Sequence, residues 1–501
     1  MRRKDTGFRA PPRRAVAKVV LRFGALTRAF TLSGLARASK GLVKRGLRAA
    51  VQAQAGKAGG IPPEHFGLTR GPNGELSLSG VTFAALTERF GSPLHVVNAA
   101  RLRDNARRFV SAARRGPADV DVFYSFKTNP VPGVIAMLRE QGFGAEVISH
   151  YELWLAQKLG FAPDRIVYNG PVKSDESLRE AIASDILLLN VNHREELERV
   201  VRIARELGRR PRVGVRVTVG EGWSGQFGTP VAGGLALRVF EEAVASGALN
   251  VVGLHAHRGG MLRSEADVTA FVDQALAFVE ELHERLGLDL TLLNLGGSLA
   301  SPSVRGLSDQ ELRLNRTFGR DIAAPEPSMA LGIERHVALV SERVASHFAT
   351  RSRPAPRVLL EPGRSVTSDS QLLVSQVQSL KADAERLYAI LNAGINLADS
   401  CRSEYHQLFV ASATAGRAER LHALAGPICT PGDTLHWGVR LPALQAGDHL
   451  LVMDAGAYFV PFSTSFSFPR PAIVTVDDGR VELLRRAETF DDLLAFDELQ
   501  R

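Results

Sequence analysis

Cysteine is almost missing from this chain: Cys401 and Cys429 are the only two in 501 residues. Two thiols cannot build a disulfide framework or a zinc cluster. They fit a reducing, cytoplasmic setting in which a special cysteine is chemical rather than structural. No apolar run reaches the roughly 18 residues needed to cross a bilayer. Acidic residues are missing from one end only. Residues 1–57 carry 15 Lys and Arg against the single acid Asp5, leaving 47 basic and 52 acidic residues beyond them. The net charge of +9 therefore belongs to an arm, and the body is mildly acidic at −5. A body without a basic patch excludes nucleic acid as its main partner. With 45% apolar and 23% charged residues the chain is ordinary for a globular protein, which excludes disorder throughout.

The arm, residues 1–60, spaces Val16, Val19, Val20, Phe23, Leu26 and Phe30 among its arginines. Three readings stay open: a flexible extension or an early start codon, a membrane-surface or targeting helix, and a partner-binding arm. Gly59-Gly60-Ile61-Pro62-Pro63 reads as the linker into the body. Residues 61–98 supply strands expected to join a later β domain. From there short apolar runs of strand character recur at 120–126, 144–148, 165–169, 186–190, 211–217, 250–255, 290–295 and 357–361. Segments of helical periodicity separate them, such as 194–208 and 265–287, the latter opened by Ser264 and Asp267. Eight such strands predict a (β/α)8 TIM-like barrel over 99–368, an α/β architecture. Within it, 309–349 exceeds one crossover, and Leu307 to Glu326 reads as a polar, irregular insertion. Residues 369–501, with strands split by Gly, Pro and Asp, predict an all-β C-terminal domain.

In such barrels chemistry gathers at the C-terminal strand ends. Those ends carry Lys127, Glu146, Asn169, Asn190, Arg216, His257, Gly296-Gly297-Ser298 and Glu361-Pro362-Gly363-Arg364. Lys127 closes the apolar run Val120–Phe126 just before a turn, where an amine loses solvation and becomes nucleophilic. A lysine that holds an aldehyde cofactor needs that; a solvated strand terminus is the plain alternative. The glycine turn, with Gly363 and Arg364 at the next strand end, suits a phosphate, although a tight structural turn explains it equally well. Glu361 ends an apolar strand and requires a cation, either a protonated pyridine nitrogen or an arginine such as Arg216. His257 is placed to stack on an aromatic ring or to sit satisfied in the core. Tyr458 offers a hydroxyl to an anion. Cys429 lies in the turn-rich loop Gly426–Asp433, where inert packing is its ordinary role.

Taken in order, Tyr124-Ser-Phe-Lys127-Thr-Asn, Gly144-Ala-Glu-Val-Ile-Ser149, His257-x-Gly-Gly, Asn294-Leu-Gly-Gly-Ser298, Glu361-Pro-Gly-Arg364, Gly426-Pro-Ile-Cys429 with Asp433, and Asp454-Ala-Gly-Ala-Tyr458 resemble the fold-type III pyridoxal-phosphate decarboxylases. That family includes the diaminopimelate, ornithine and arginine decarboxylases, and the pattern is most similar to the first. The resemblance implies pyridoxal 5'-phosphate bound as a Schiff base on Lys127, with His257 on the ring face and Glu361 at the pyridine nitrogen. It implies that Glu146, Arg216, Gly296, Gly297, Ser298, Gly363, Arg364 and Tyr458 line the cofactor. Cys429 matches the cysteine that protonates the product carbon from the other subunit, so a homodimer with shared sites is expected. Thr430, Arg402, Tyr405 and Asp433 are the expected substrate contacts.

The departures concern the substrate. Thr430 stands where diaminopimelate decarboxylases carry a glutamate that reads the distal amino-acid group. Their Arg-Pro is missing after Ala393-Gly394-Ile395-Asn396, with only a displaced Arg402 to compensate. Gln226 replaces a basic residue, and Ser298 a glycine. Losing polar contacts changes a substrate rather than merely weakening it, so a different amino acid or an amino-acid conjugate is expected. The rival functions are an amino-acid racemase on the same barrel and a non-catalytic relative that only holds cofactor.

Overall fold

The computed structural model describes residues 60–498 except 221–224 and 384, together with 46, 50 and 51. The readings of the basic arm fall almost wholly outside the described residues.

Eight parallel strands close into a barrel: Val120–Ser125, Gly144–Val147, Ile166–Tyr168, Leu188–Val191, Arg212–Thr218, Asn250–Ala256, Leu292–Asn294 and Arg357–Leu360. Each pairs with the next, and Val358 opposite Val120 closes the ring. The expected (β/α)8 barrel is therefore present, each strand lying within about two residues of its apolar run. The crossover helices bury their apolar residues against the strands, and four of them, His150–Lys158, Asp175–Ala183, Arg194–Glu206 and Glu265–Leu286, open on a side-chain cap. Ser264 Oγ, for example, accepts the Asp267 N–H at 3.1 Å to open Glu265–Leu286.

Strand alternation places the site. Val122, Tyr124, Ala145, Val147, Leu189, Val213, Val215, Leu254, Leu293, Val358 and Leu360 face the helices in the main core. The intervening residues point inward, where Phe123, Val167, Leu188, Leu292 and Leu359 fill the barrel's middle as a separate apolar plug. Two residues further along those same strands stand Ser125, Asn169, Asn190, Asn294 and Glu361, on the C-terminal side of the plug. The period of two that buries the plug thus delivers a polar layer above it. Below the plug, Asp121 pairs with Arg165 and Arg357. Gly214 on the fifth strand leaves room for this layer, since a Cβ there would lie 2.3 Å from Asn190 Oδ1.

The insertion between the seventh strand and Ile333–Ala349 is not irregular throughout. It contains the helix Asp309–Phe318, opened by a full capping box between Ser308 and Glu311. Only Asn315 of that helix is buried, so no apolar stripe announced it. Asn315 instead ties the helix to the β domain, donating to Gly438 O at 2.7 Å and accepting from Trp437 N at 3.0 Å.

In the β domain Leu94–Asn98 lies between Gln371–Ala382, antiparallel to it, and Ala472–Asp477, parallel to it. Glu419–Ala425 and Thr434–Pro442 form an antiparallel hairpin whose turn carries Cys429. Both hairpin strands escaped the apolar pattern: Glu419 and Arg420 open the first, and His436, Gly438 and Arg440 break up the second.

Candidate active site

The polar layer is one connected network. Lys127 leaves the first strand in a short 3-10 turn, and its Nζ donates to Glu146 Oε2 at 2.9 Å and to Ser125 Oγ at 2.8 Å. Ser125 Oγ donates to the same carboxylate oxygen at 2.5 Å. Asn169 Nδ2 bridges the two acids, reaching Glu146 Oε1 at 2.9 Å and Glu361 Oε1 at 2.7 Å. Asn190 Nδ2 donates to Asn169 Oδ1 at 2.7 Å and so orients that amide. Asn294 Nδ2 gives Glu361 Oε1 a second bond at 2.5 Å, while Glu361 Oε2 faces His255 Nε2 at 3.7 Å. Ser125, Asn294 and His255 belong to this layer although no role was expected of them. The signal was available: each sits on the inward register of an expected strand.

The electrostatics refine the expectation for Lys127. Burial does push its amine toward the neutral form, but Glu146 and Glu361 outweigh burial and hold it above the ordinary lysine range. The resting amine is an ammonium paired with Glu146, not a free nucleophile. Burial would raise the Glu146 carboxyl, yet Lys127, Ser125 and Asn169 keep it below its ordinary range, so it is ionised. Glu361 behaves oppositely: burial and the nearby Glu146 charge push it up to about 7. A buried carboxyl in that condition suits a cation brought by a ligand. Burial, Lys127 and Arg216 depress His257 to about 3, so its ring is neutral. Burial and Arg216 hold His255 well below the ordinary range, and neither of its ring nitrogens has a hydrogen-bond partner.

The phosphate candidates gather at the next two strand ends. Gly296 has φ +62°, and a Cβ there would meet His257 Nδ1 at 2.2 Å. The Gly297 N–H approaches His257 Nδ1 at 3.3 Å, and Ser298 Oγ donates to the Arg258 carbonyl. Gly363 starts the short helix Arg364–Thr367. The Tyr458 amide donates to Thr128 O at 2.9 Å, which sets its ring beside the lysine turn. Arg364 lies 5.1 Å over that ring. Arg216 packs 4.8 Å over Phe227, while Glu361 takes its bonds from the two asparagines.

The expected substrate contacts divide. Cys429 is exposed in the hairpin turn, and Thr430 beside it makes only local bonds, accepting from Gly432 N and Asp433 N. Arg402 is exposed and paired with Asp399 at 3.0 Å. Tyr405 turns into the β-domain core, its hydroxyl donating to Gln407 Oε1 at 2.7 Å. Asp433 is buried beneath the hairpin, accepting the Ile395 N–H at 2.8 Å and the Ile428 N–H at 2.7 Å. It positions the Cys429 loop and is not open to a substrate. Asp433→Ala strands both amides and should cost about 2–3 kcal/mol of stability, read as a lowered denaturation midpoint. An unchanged midpoint would show that the loop does not depend on it.

Residues 100–368 match the family described as pyridoxal-dependent decarboxylase, pyridoxal binding domain. A diaminopimelate decarboxylase of Aquifex aeolicus is 30% identical over 433 residues, 84% of this chain and 94% of that protein. One from Methanothermobacter thermautotrophicus is 31% identical, covering 84% and 95%. The crystal structure of diaminopimelate decarboxylase from M. jannaschii shares the fold, with a TM-score of 0.76 at 24% identity, covering 87% of this chain and 98% of that one. These likenesses do not favour the racemase or the non-catalytic reading. The network also fits the cofactor on its own terms: an amine paired with an acid, a buried carboxyl raised by burial and the neutral imidazoles of His255 and His257 are what a phosphorylated pyridine aldehyde would engage. By its matched barrel and its relatives, the chain belongs to the pyridoxal-dependent decarboxylases, carboxy-lyases that use pyridoxal 5'-phosphate on amino acids.

Proposed function

We propose that the chain releases the α-carboxylate of an amino acid as carbon dioxide, with Lys127 holding the cofactor aldehyde and Cys429 of a second copy supplying a proton. The observation that carries this reading is the continuous link from Lys127 through Glu146 and Asn169 to Glu361. When bound, pyridoxal phosphate supplies an electron-withdrawing ring that takes up the electron pair of the breaking bond. Glu361, pinned through Oε1 by Asn169 and Asn294, would be the partner of the ring nitrogen and would favour a positive charge there. Neutral His257 offers a flat face for stacking. Backbone amides of the Gly296–Ser298 turn and of Gly363 would hold the phosphate. Glu146, 2.9 Å from Nζ, holds Lys127 as the ammonium and is the group placed to relay its proton once a bound ligand disturbs that pair and Nζ turns nucleophilic.

Cys429 lies on an exposed turn, so a two-fold assembly in which each hairpin serves its neighbour's barrel is the arrangement this reading requires. A homodimer follows from that requirement. Among the described residues no helix is long and apolar enough to cross a membrane. The relatives are named for diaminopimelate, but Thr430 and the lost Arg-Pro argue for another substrate here. Carbon dioxide release from a panel of amino acids tests that, and rapid turnover of meso-diaminopimelate would overturn it.

Subunit mixing tests the shared site. Lys127→Ala and Cys429→Ala should each be inactive alone. Mixed and allowed to exchange, they should recover up to about one quarter of parental activity, because some hybrid sites are intact. No recovery after confirmed exchange would place Cys429 in its own chain's site or outside the chemistry.

A further inference from the structure

Arg364 follows Gly363 at the end of the eighth strand and lies over Tyr458, whose amide is bonded beside Lys127. That guanidinium is expected to line the cofactor, and from there it would also be able to receive a substrate carboxylate through two parallel N–H bonds. Glu404 takes both: Arg364 Nη1 reaches Oε2 and Nη2 reaches Oε1, each at 2.8 Å. The pair is largely enclosed, with side-chain exposures of 15% and 17%.

Glu404 is also held from behind. Gly306 forms a β-bridge with Glu404, Leu307 N donates to Ser403 O at 2.8 Å, and Tyr405 N donates to Arg305 O at 2.8 Å. Arg305 is tied to Glu311, which closes the capping box with Ser308 at the start of Asp309–Phe318. The insertion thereby fixes the backbone that carries Glu404. Burial would raise the Glu404 carboxyl, but His406 and Arg364 keep it below its ordinary range. The cations nearby are also engaged: Arg305 with Glu311, Arg402 with Asp399, and Arg263 with the Val304 carbonyl.

We propose that Glu404 is the specificity-determining residue of this pocket: by occupying Arg364 it removes the guanidinium that would receive a second carboxylate, so the substrate is an α-amino acid with a neutral or cationic side chain. This rests on the decarboxylase reading above. It agrees with Thr430 and the missing Arg-Pro, since each departure removes a group able to read a distal amino-acid head.

L-Lysine and meso-diaminopimelate differ by one carboxylate and make the test direct. Cofactor-loaded protein is titrated with each, following heat and cofactor absorbance. The parent should bind lysine at least about tenfold more tightly. Glu404→Gln should free Arg364 and move that ratio roughly tenfold toward diaminopimelate, while Glu404→Asp, which keeps the charge, should retain the parental ratio. Equal binding of the two by the parent, binding of neither, or an unchanged ratio in a Gln variant with parental circular dichroism would overturn the assignment. Should the Gln variant not fold, the parental ratio decides. Failure of the decarboxylase reading shows separately, as no heat and no absorbance on adding pyridoxal phosphate.

Discussion

Alanine in place of Lys127 should abolish the absorbance near roughly 420 nm that a lysine-held cofactor gives, and lower kcat/KM by on the order of 10^4-fold or more. The two losses should come together. If Nζ both tethers the cofactor and returns to displace the product, no other group in the polar layer can replace it. Glu146 loses its charged partner in the same variant and keeps Ser125 and Asn169 as donors. Its carboxyl should then rise, and the fold should survive with a lower melting temperature. Activity persisting in a folded Lys127→Ala protein would rule out the covalent scheme. Lys173 is the one rival worth naming. It is fully buried, yet it is paired with Glu196 at 3.1 Å and also donates to the Gly170 and Asn190 carbonyls, so its amine is committed to the framework.

The second large effect belongs to Glu361. Glu361→Gln removes the negative charge opposite the ring nitrogen but keeps the shape and the bonds to Asn169 and Asn294. A loss of roughly 10^2 to 10^3-fold in kcat with little change in KM is expected, because the charge matters most as the ring becomes electron-rich. An unaltered kcat would remove Glu361 from the chemistry. The same variant has a thermodynamic signature in cofactor-free protein. There burial and the Glu146 charge push the folded-state Glu361 carboxyl from its ordinary 4.5 up to about 7. A raised carboxyl favours the folded state while it is protonated. Its stabilisation is therefore full below about pH 4.5 and is lost as pH rises through 7. Glutamine stays neutral, so its stability relative to the parent should improve between about pH 5 and 8, by on the order of 2–3 kcal/mol. Cofactor should erase that difference by supplying the cation. A gap that does not change with pH would mean that Glu361 titrates normally.

The barrel was legible because its strands are buried on both faces and read as near-continuous apolar runs between turns. Much of the site was legible for the same reason: a polar residue at the end of such a run must point into the barrel mouth or be unsatisfied. Lys127, Glu146, Asn169, Asn190 and Glu361 all follow from that rule, and the structure joins them. Other features carried no such mark. The helix Asp309–Phe318 buries one asparagine rather than an apolar stripe, so nothing periodic betrayed it. Tyr405 and Asp433 lie within or beside motif segments, but a motif does not say which way a side chain turns, and both turn into the core. The Arg364–Glu404 pair joins residues forty positions apart, and its partner was legible only once the insertion's backbone was seen to hold Glu404 in place.

The most direct test of the account is to load the purified protein with pyridoxal phosphate, reduce it with borohydride, and map the modified peptide by mass spectrometry. A single phosphopyridoxyl group on Lys127 is the predicted result. The label on Lys173, elsewhere in the chain, or on no residue at all would contradict it.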